Sequence, residues 1–532
     1  MIINSYIFGG FDADAQAFIT AAAITDNTQK NAINNLVINL KAAGIWSKMK
    51  AVYPFVGGTA ATHKFNLKNP ADTNAAFRLS FIGGWTHTAT GALPNGTNAY
   101  ANTFLDTQND LSLNSGHFSF YSRTNLPTAA IRIDMGALRP SPDSYSDLNS
   151  SNSNLTYFRF NNGVAYDSVA SANSTGFYIG SRTASNIIKT YKNGSTVLSG
   201  TAVSSSTSNI DIYIGAVNSN GSPLYYANRE CALASIGDSL TDTEALVFNQ
   251  IVEGYQYELS RNINAVNVNY YNTAYNNETN AFLYASEITN TTQKSAVNSL
   301  VNDLKTAGIW TKMKAVYPFI GGTASTHKWN LVNPQDTNAA FRLVFFGGWT
   351  HTSNGVQANG TNGYADTFLV PNTTLAAADS VHLSVYSRTD QAAPTDLEMG
   401  TYDGNSNSLL GIGLDRSASP TGSYGWINNA NVISFTDTNS AAFYVATRVG
   451  SVQKIFRNLV TGVSFTNAAA LRATTKIFIA NAYSQPFSGP DPGLYSNKQY
   501  AFMSIGDGLT DTDASNFYTA VQAFNTTLAR QV

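Results

Sequence analysis

Charge is scarce in this sequence. Asp, Glu, Lys and Arg together supply 12% of its 532 residues, about half of the roughly 25% usual in globular proteins, and Asn, Ser, Thr and Gly stand in their place. With a net charge of −2 and no Lys/Arg cluster, there is no electrostatic footprint for nucleic acid, whose affinity rests on neutralised phosphates. The same lack argues against an anionic membrane surface. Cys231 is the only cysteine, which excludes an intramolecular disulfide and any zinc site built on cysteine. No apolar run approaches the roughly 18 residues of a membrane span. No Gly-rich phosphate loop occurs, and no cofactor is expected. The opening Met1-Ile2-Ile3-Asn4-Ser5-Tyr6 has neither a basic n-region nor an apolar h-region, so synthesis in a cytoplasm without a signal peptide is expected. Yet a polar, weakly charged and aromatic chain is more typical of extracellular β-proteins. A particle assembled in a cytoplasm and released by lysis reconciles the two.

What the sequence does have, it has twice. Lys48-Met49-Lys50-Ala51-Val52-Tyr53-Pro54-Phe55 recurs unchanged as Lys312 to Phe319, a shift of 312 − 48 = 264 positions. The match runs from Phe18 and Phe282 past Tyr100 and Tyr364. It resumes where Ala234 to Asp238 answers Met503 to Asp507, at a shift of 505 − 236 = 269. The net insertion falls in the divergent middle, as in loops on a shared scaffold. So long a period indicates tandem domains, each large enough for its own core, not a solenoid array.

Within each copy the hydrophobic period changes along the chain. Ile33, Leu36, Val37 and Leu40 form a helical stripe, with Thr25 or Asn27 to cap it and Gly44 to end it; Val297, Leu300, Val301, Leu304 and Gly308 repeat the pattern. Trp46 and Trp310 follow as packing residues. From Phe77 and Phe341 onward the period is two, and short strands are predicted at 117–121, 155–160, 176–179, 187–191 and 210–214, then at 382–386, 442–446, 454–456 and 476–480. Asn193-Gly194 suits a type I′ hairpin turn. A second stripe, Phe248, Val252, Tyr255 and Leu259, answered by Phe517, Val521, Phe524 and Leu528, closes each copy, with Thr241 and Glu244 as a capping box and Thr510 and Asp513 as its echo. The pattern predicts a mainly β protein: two tandem antiparallel β-sandwich or jelly-roll modules, each flanked by an N-terminal and a C-terminal helix. The expected division is an N-terminal arm 1–17, a helical opening segment 18–76, a sandwich with closing helix 77–260, an Asn/Tyr-rich linker 261–281, a second opening segment 282–340 and a second sandwich 341–532.

Two constellations resemble catalytic or metal chemistry. Gly237-Asp238-Ser239-Leu240 has the letters of the GDSL hydrolases, and Asp379 with His382 resembles their acid and base pair. However, Ser239 is answered by Gly508, the Asp-x-x-His lies in the other copy on a predicted strand, and the run reads as the turn into the closing helix. No enzyme activity is expected. His63, His87 and His117, matched by His327, His351 and His382, offer three imidazoles per module, but without metal-ligand spacing or carboxylate partners. Hydrogen-bonded structural histidines, and no metal, are expected. Asp72 with Arg78 and Asp336 with Arg342 read as ion pairs.

Function points instead to the divergent spans, 124–230 and 389–498. Tyr157, Tyr166 and Tyr178, among Asn and Ser, offer aromatic faces and amides of the kind that grip sugars, with Phe158 and Tyr191 nearby; Tyr402, Tyr424 and Trp426, with Asp403, are comparable in the second copy.

The stretches Tyr53-Pro54-Phe55-Val56-Gly57-Gly58-Thr59, Phe81-Ile82-Gly83-Gly84-Trp85-Thr86-His87, Asn95-Gly96-Thr97-Asn98 and Ser504-Ile505-Gly506-Asp507-Gly508-Leu509-Thr510-Asp511 resemble a repeated module of virion and tail-type proteins of Bacteroidota phages, crAss-like phages included. The middle of that module resembles a concanavalin A-like or laminin-G-like sandwich. The resemblance covers most of the chain. It implies a lectin-like structural or adhesive component exposed on the virion, in a tail, fibre or head decoration, made in the host cytoplasm. Its implied partners are other virion proteins, further copies of itself and host-surface glycans; the alternative is a purely structural decoration or connector. No calcium-binding pattern of laminin-G domains can be placed residue by residue.

Overall fold

A computed structural model describes residues 11–126, 130–140, 143–264, 271–391, 396–416, 422–437, 439–468 and 471–532. The chain divides into two units, Met1–Thr273 and Ala274–Val532. Each is mainly β, a sandwich of two largely antiparallel sheets with helices against one of them.

Among the described residues, one sheet of the first unit has eight strands and the other nine; both sheets of the second have nine. The helix-covered sheet centres on Gly116–Ser122, bonded on one side to Gly176–Ala184 and on the other to Cys231–Gly237. Its register sets His117 opposite Gly237 and Phe118 opposite Ile236. In the second unit, His382 faces Gly506 and Leu383 faces Ile505, the same ladder carried over. Between the sheets lies an apolar core, built in the first unit from residues such as Tyr53, Phe118, Phe158, Tyr178 and Ile214. Leu383, Met399, Ile412, Ile427 and Ile505 are among those that build it in the second.

The predicted helical stripes are the buried faces of Asn27–Ala42 and Thr291–Thr306, whose Ile33, Leu36, Val37, Leu40, Val297, Leu300, Val301 and Leu304 are all buried. Asp26, not Thr25 or Asn27, caps the first of these by accepting from the Gln29 amide. The closing helices Asp242–Glu258 and Asp511–Thr527 both carry the capping box. Phe248 packs edge-on against His117 and Phe177, and Phe517 against His382 and Phe443, which makes the helices a third layer on the sheet.

Several boundaries differ from expectation. Each module opens with two helices: Ala13–Ala21 precedes Asn27–Ala42, and Asn277–Ser286 precedes Thr291–Thr306. Ala15 and Phe18 of the first are buried, so residues 13–17 belong to the fold and not to an arm; residues 1–10 lie outside the described residues. The linker expected at 261–281 is shortened from both ends. Arg261 is fully buried and donates to the carbonyls of Pro54, Phe55 and Ala232, which staples the chain beyond the closing helix to the first strand. Arg530 does the same to Pro318, Phe319 and Ala501. At the other end Asn277–Ser286 has already begun, and residues 265–270 of the linker lie outside the described residues. Phe77 and Phe341 do not start strands. Both adopt left-handed φ, 58° and 59°, at the end of a short 3-10 turn, and strands start only at Ser80 and Val344.

Candidate functional site

The second unit carries a cleft of about 340 Å³ on the face of its helix-free sheet turned away from the core. Strand alternation makes it. Leu410, Ile412 and Ile427 point into the core, so Gly411, Gly413, Tyr424 and Trp426 fall on the opposite face, where Gly411 is paired with Trp426 and Gly413 with Tyr424. A Cβ on Gly413 would stand 2.5 Å from the Tyr424 ring, so this ring lies flat over a residue that must have no side chain. Gly411 has no side chain to fill the space beside Trp426. Tyr424 and Trp426 meet edge to face at 4.9 Å and 79°.

The remaining walls come from strands that flank this pair. Met399–Tyr402 brings Tyr402, half-buried, whose hydroxyl donates to the Gly404 carbonyl. The parallel strand Ala482–Ser484 brings Tyr483. Tyr483 is the end of a row of rings: it packs on Phe478 at 5.5 Å, Phe478 on Tyr364 at 4.9 Å, and Tyr364 on the exposed Phe346 at 4.9 Å. Leu397, Leu409 and Leu494 complete the apolar lining, while Ser406, Ser484 and Asp491 supply polar groups.

Beside the cleft is a charge cluster. Lys498, fully buried, donates to Asp396 at 2.5 Å and reaches Glu398 at 3.2 Å. Glu398 also accepts from the Leu414 amide and the Ser496 hydroxyl. Burial pushes its carboxyl up to about 7 despite the ammonium beside it. Burial by itself would lower Lys498, but the two carboxylates hold it above its ordinary value. The Asp396 carbonyl accepts the Tyr424 hydroxyl at 2.9 Å, which ties the cluster to the cleft floor.

The first unit closes the same place. Met135 faces Leu148 as Met399 faces Ile412, and from there the ladders put Asp147 and Arg159 where the second unit has Gly411 and Trp426. Arg159 donates to both carboxylate oxygens of Asp147, at 2.5 and 3.0 Å. Its guanidinium lies over the rings of Tyr145, Tyr166 and Tyr157, at 4.8, 5.2 and 5.6 Å. The buried triad has a simpler counterpart too, Arg229 with Asp134, both fully buried.

Of the six residues singled out from sequence, the structure brings Tyr402, Tyr424 and Trp426 together in the cleft. Tyr424 is 1% exposed and serves as its floor. Tyr166 is exposed and lies on Tyr157 at 4.6 Å. Tyr157 and Tyr178 do not offer binding faces. Tyr157 is sealed under Tyr166 and Arg159, its hydroxyl bonded to Asn152; Tyr178 belongs to the other sheet and the inter-sheet core, its hydroxyl donating to the Asn173 carbonyl. Asp403 is turned into its own loop, accepting from Ser408 and Thr474. Tyr483, Asp491 and Leu494 escaped sequence reasoning. Their one signal is an aromatic and two apolar or acidic residues set in a Gly/Pro/Ser-rich stretch that otherwise reads as loop.

Among the described residues the Ser239 hydroxyl accepts from Ser115, while His382 is bonded to the Asp507 carbonyl and Ser504. The imidazoles are likewise committed. The Gly58 amide donates to Nε2 of His63, so Nδ1 carries the proton and donates to Nδ1 of His87 at 2.9 Å; Gly322, His327 and His351 repeat this. Among the described residues no three His, Cys, Asp or Glu side chains gather to hold a metal ion.

No known protein family and no curated protein matches the chain. Solved structures similar to parts of it include domain 4 of AbnA, a GH43 extracellular arabinanase from Geobacillus stearothermophilus in complex with arabinotriose, at 16% identity, 38% of this chain, 98% of that one and a TM-score of 0.23. A Trypanosoma rangeli sialidase mutant with trans-sialidase activity is 8% identical over 80% of this chain and 61% of that one, with a TM-score of 0.32. Domains LG4-5 of the mouse laminin alpha1 chain are 10% identical over 76% and 86%, with a TM-score of 0.20. Likenesses this distant carry no argument about a site or an activity.

Proposed function

We propose that the chain is a virion surface protein, in a tail, fibre or head decoration, whose second unit binds a host-surface glycan. The observation that carries the binding is the cleft itself. Aromatic rings on rigid strands, apolar walls and a few polar groups at the rim are what a sugar ring needs, since its C–H faces pack on aromatics while its hydroxyls require partners. The virion location rests on the resemblance of the duplicated stretches. The first unit, whose equivalent face is filled by Arg159 and its three tyrosines, favours a second role beside the first: a framework that contacts other virion proteins or further copies of the chain.

The test is direct. Trp426→Ala and Tyr402→Ala should each cut retention on immobilised host-cell polysaccharide by about tenfold, a loss of roughly 1.4 kcal/mol, while the melting temperature stays within a few degrees of the parent. Unchanged retention in both variants would sink the assignment of binding to this cleft. Labelling of purified particles with antibody to the chain tests the location, and particles that lack it would refute the virion role.

A further inference from the structure

We infer that the cleft takes a neutral sugar carrying a methyl group, a 6-deoxyhexose or an N-acetylhexosamine unit, and excludes acidic sugars; this rests on the glycan-binding reading above. The apolar half of the argument is the lining. An unsubstituted hexose presents a hydroxyl at nearly every carbon, and each one buried without a partner costs about 1–3 kcal/mol. The floor of the cleft cannot supply such partners. It is made of the Tyr424 ring, whose own hydroxyl is spent on the Asp396 carbonyl, together with Leu397 and Ala482. The Thr401 hydroxyl is engaged with Thr475. A methyl group fits this floor, and the sugar's hydroxyls then face Ser406 and Asp491. With about 340 Å³, near the small end of the roughly 300–1,000 Å³ usual for small-ligand sites, the space suits one ring and its substituent.

The electrostatic half is the sign of the charge. Among the described residues none that lines the cleft is basic, and the one charged group there is the Asp491 carboxylate, whose Oδ1 accepts from the Gly493 amide. Beside the floor, the Lys498 ammonium is already spent on Asp396 and Glu398. A uronic or sialic acid would bring a further negative charge into a recess whose described lining offers no cation to meet it, and like charges brought together at a binding surface cost several kcal/mol. In the first unit an arginine does reach this face, but Arg159 is already matched by Asp147.

The experiment uses the full-length chain and four probes on a polyacrylamide carrier: an α-L-fucoside, N-acetylglucosamine, a glucoside and a glucuronide. The fucoside or the N-acetylglucosamine conjugate should be retained about tenfold more strongly than the glucoside, the discrimination that one buried unpaired hydroxyl supplies; which of the two binds identifies the source of the methyl. The glucuronide should not be retained, and Asp491→Asn should raise its retention several-fold. The inference is overturned if the glucoside or glucuronide binds as tightly as the methyl-bearing probes and Trp426→Ala abolishes that binding. If no probe is retained, or retention is indifferent to Trp426→Ala, it is the glycan-binding reading itself that fails.

Discussion

At the scale of single residues, the protein keeps its imidazoles neutral. Burial lowers all six histidines, His63 and His327 to about 3, His117 and His382 to about 4, and His87 and His351 by less. A base whose folded pKa is depressed stabilises fully above its unfolded value, near 6.5, and that stability is lost as pH falls toward the folded pKa. Glu253 and Glu398 act oppositely, because burial raises both to about 7, so their contribution is present at low pH and is lost as pH rises from about 4.5 to 7. Six depressed histidines outnumber the four carboxylates that burial raises, Asp110, Glu253, Glu258 and Glu398, so on balance folding releases protons below pH 6.5. The melting temperature should therefore fall steeply from pH 6.5 to 5, and His117→Gln should flatten the slope. A melting temperature that holds or rises on acidification would contradict this.

Arg159 gives the second residue-scale expectation. Removing one member of a buried ion pair leaves an uncompensated charge, at a cost of about 3–5 kcal/mol, whereas removing both does not. Arg159→Met should destabilise the first unit by that amount, and Asp147→Gly added to it should restore most of the loss. Chemical denaturation of the two variants measures the difference; additive losses would show that the pair is not coupled.

At the scale of elements, the striped helices were legible and many of the strands were not. The stripes at Ile33 and Phe248 announce themselves because one face of each helix meets a sheet and the other meets water. Asp143–Asn152, by contrast, is a ten-residue strand whose Ser, Asn and Asp side chains are buried in a polar ladder, among them Asp147 against Arg159 and Ser150 donating to Asp134. No apolar period marks it. This is also why Tyr157 and Tyr424 looked alike in sequence: both are tyrosines on matched strands, and what distinguishes them is the neighbouring strand, Asn149 across from one and Gly413 across from the other. The aromatic row across four strands was equally hidden, because Phe346, Tyr364, Phe478 and Tyr483 are brought together only by sheet order. That row holds Tyr483 in place, since a site is only as precise as the side chains behind it. Tyr364→Ala, which does not line the cleft, should weaken retention of the methyl-bearing conjugate several-fold. Retention equal to the parent would make the row ornamental to binding.

At the scale of the whole molecule, the shift of 264 positions foretold two copies, and the sheets share register as well as sequence. Each unit buries its own core between its own sheets, so residues 274–532 expressed alone should unfold cooperatively, near the temperature of one transition of the full chain. A span that is unfolded by circular dichroism would refute this. Where the copies part, sequence could mark the spans that diverge but not what divergence does, because an open and a filled face can be built on one backbone.

That backbone has a genetic corollary. The glycine at 411 stands where the other copy has an aspartate, and two of the four glycine codons lie one base from an aspartate codon. On the glycan-binding reading, Gly411→Asp would set a carboxylate beside Trp426 without the arginine that matches Asp147 in the first unit, so one base change would close the surface and also leave a charge unpaired.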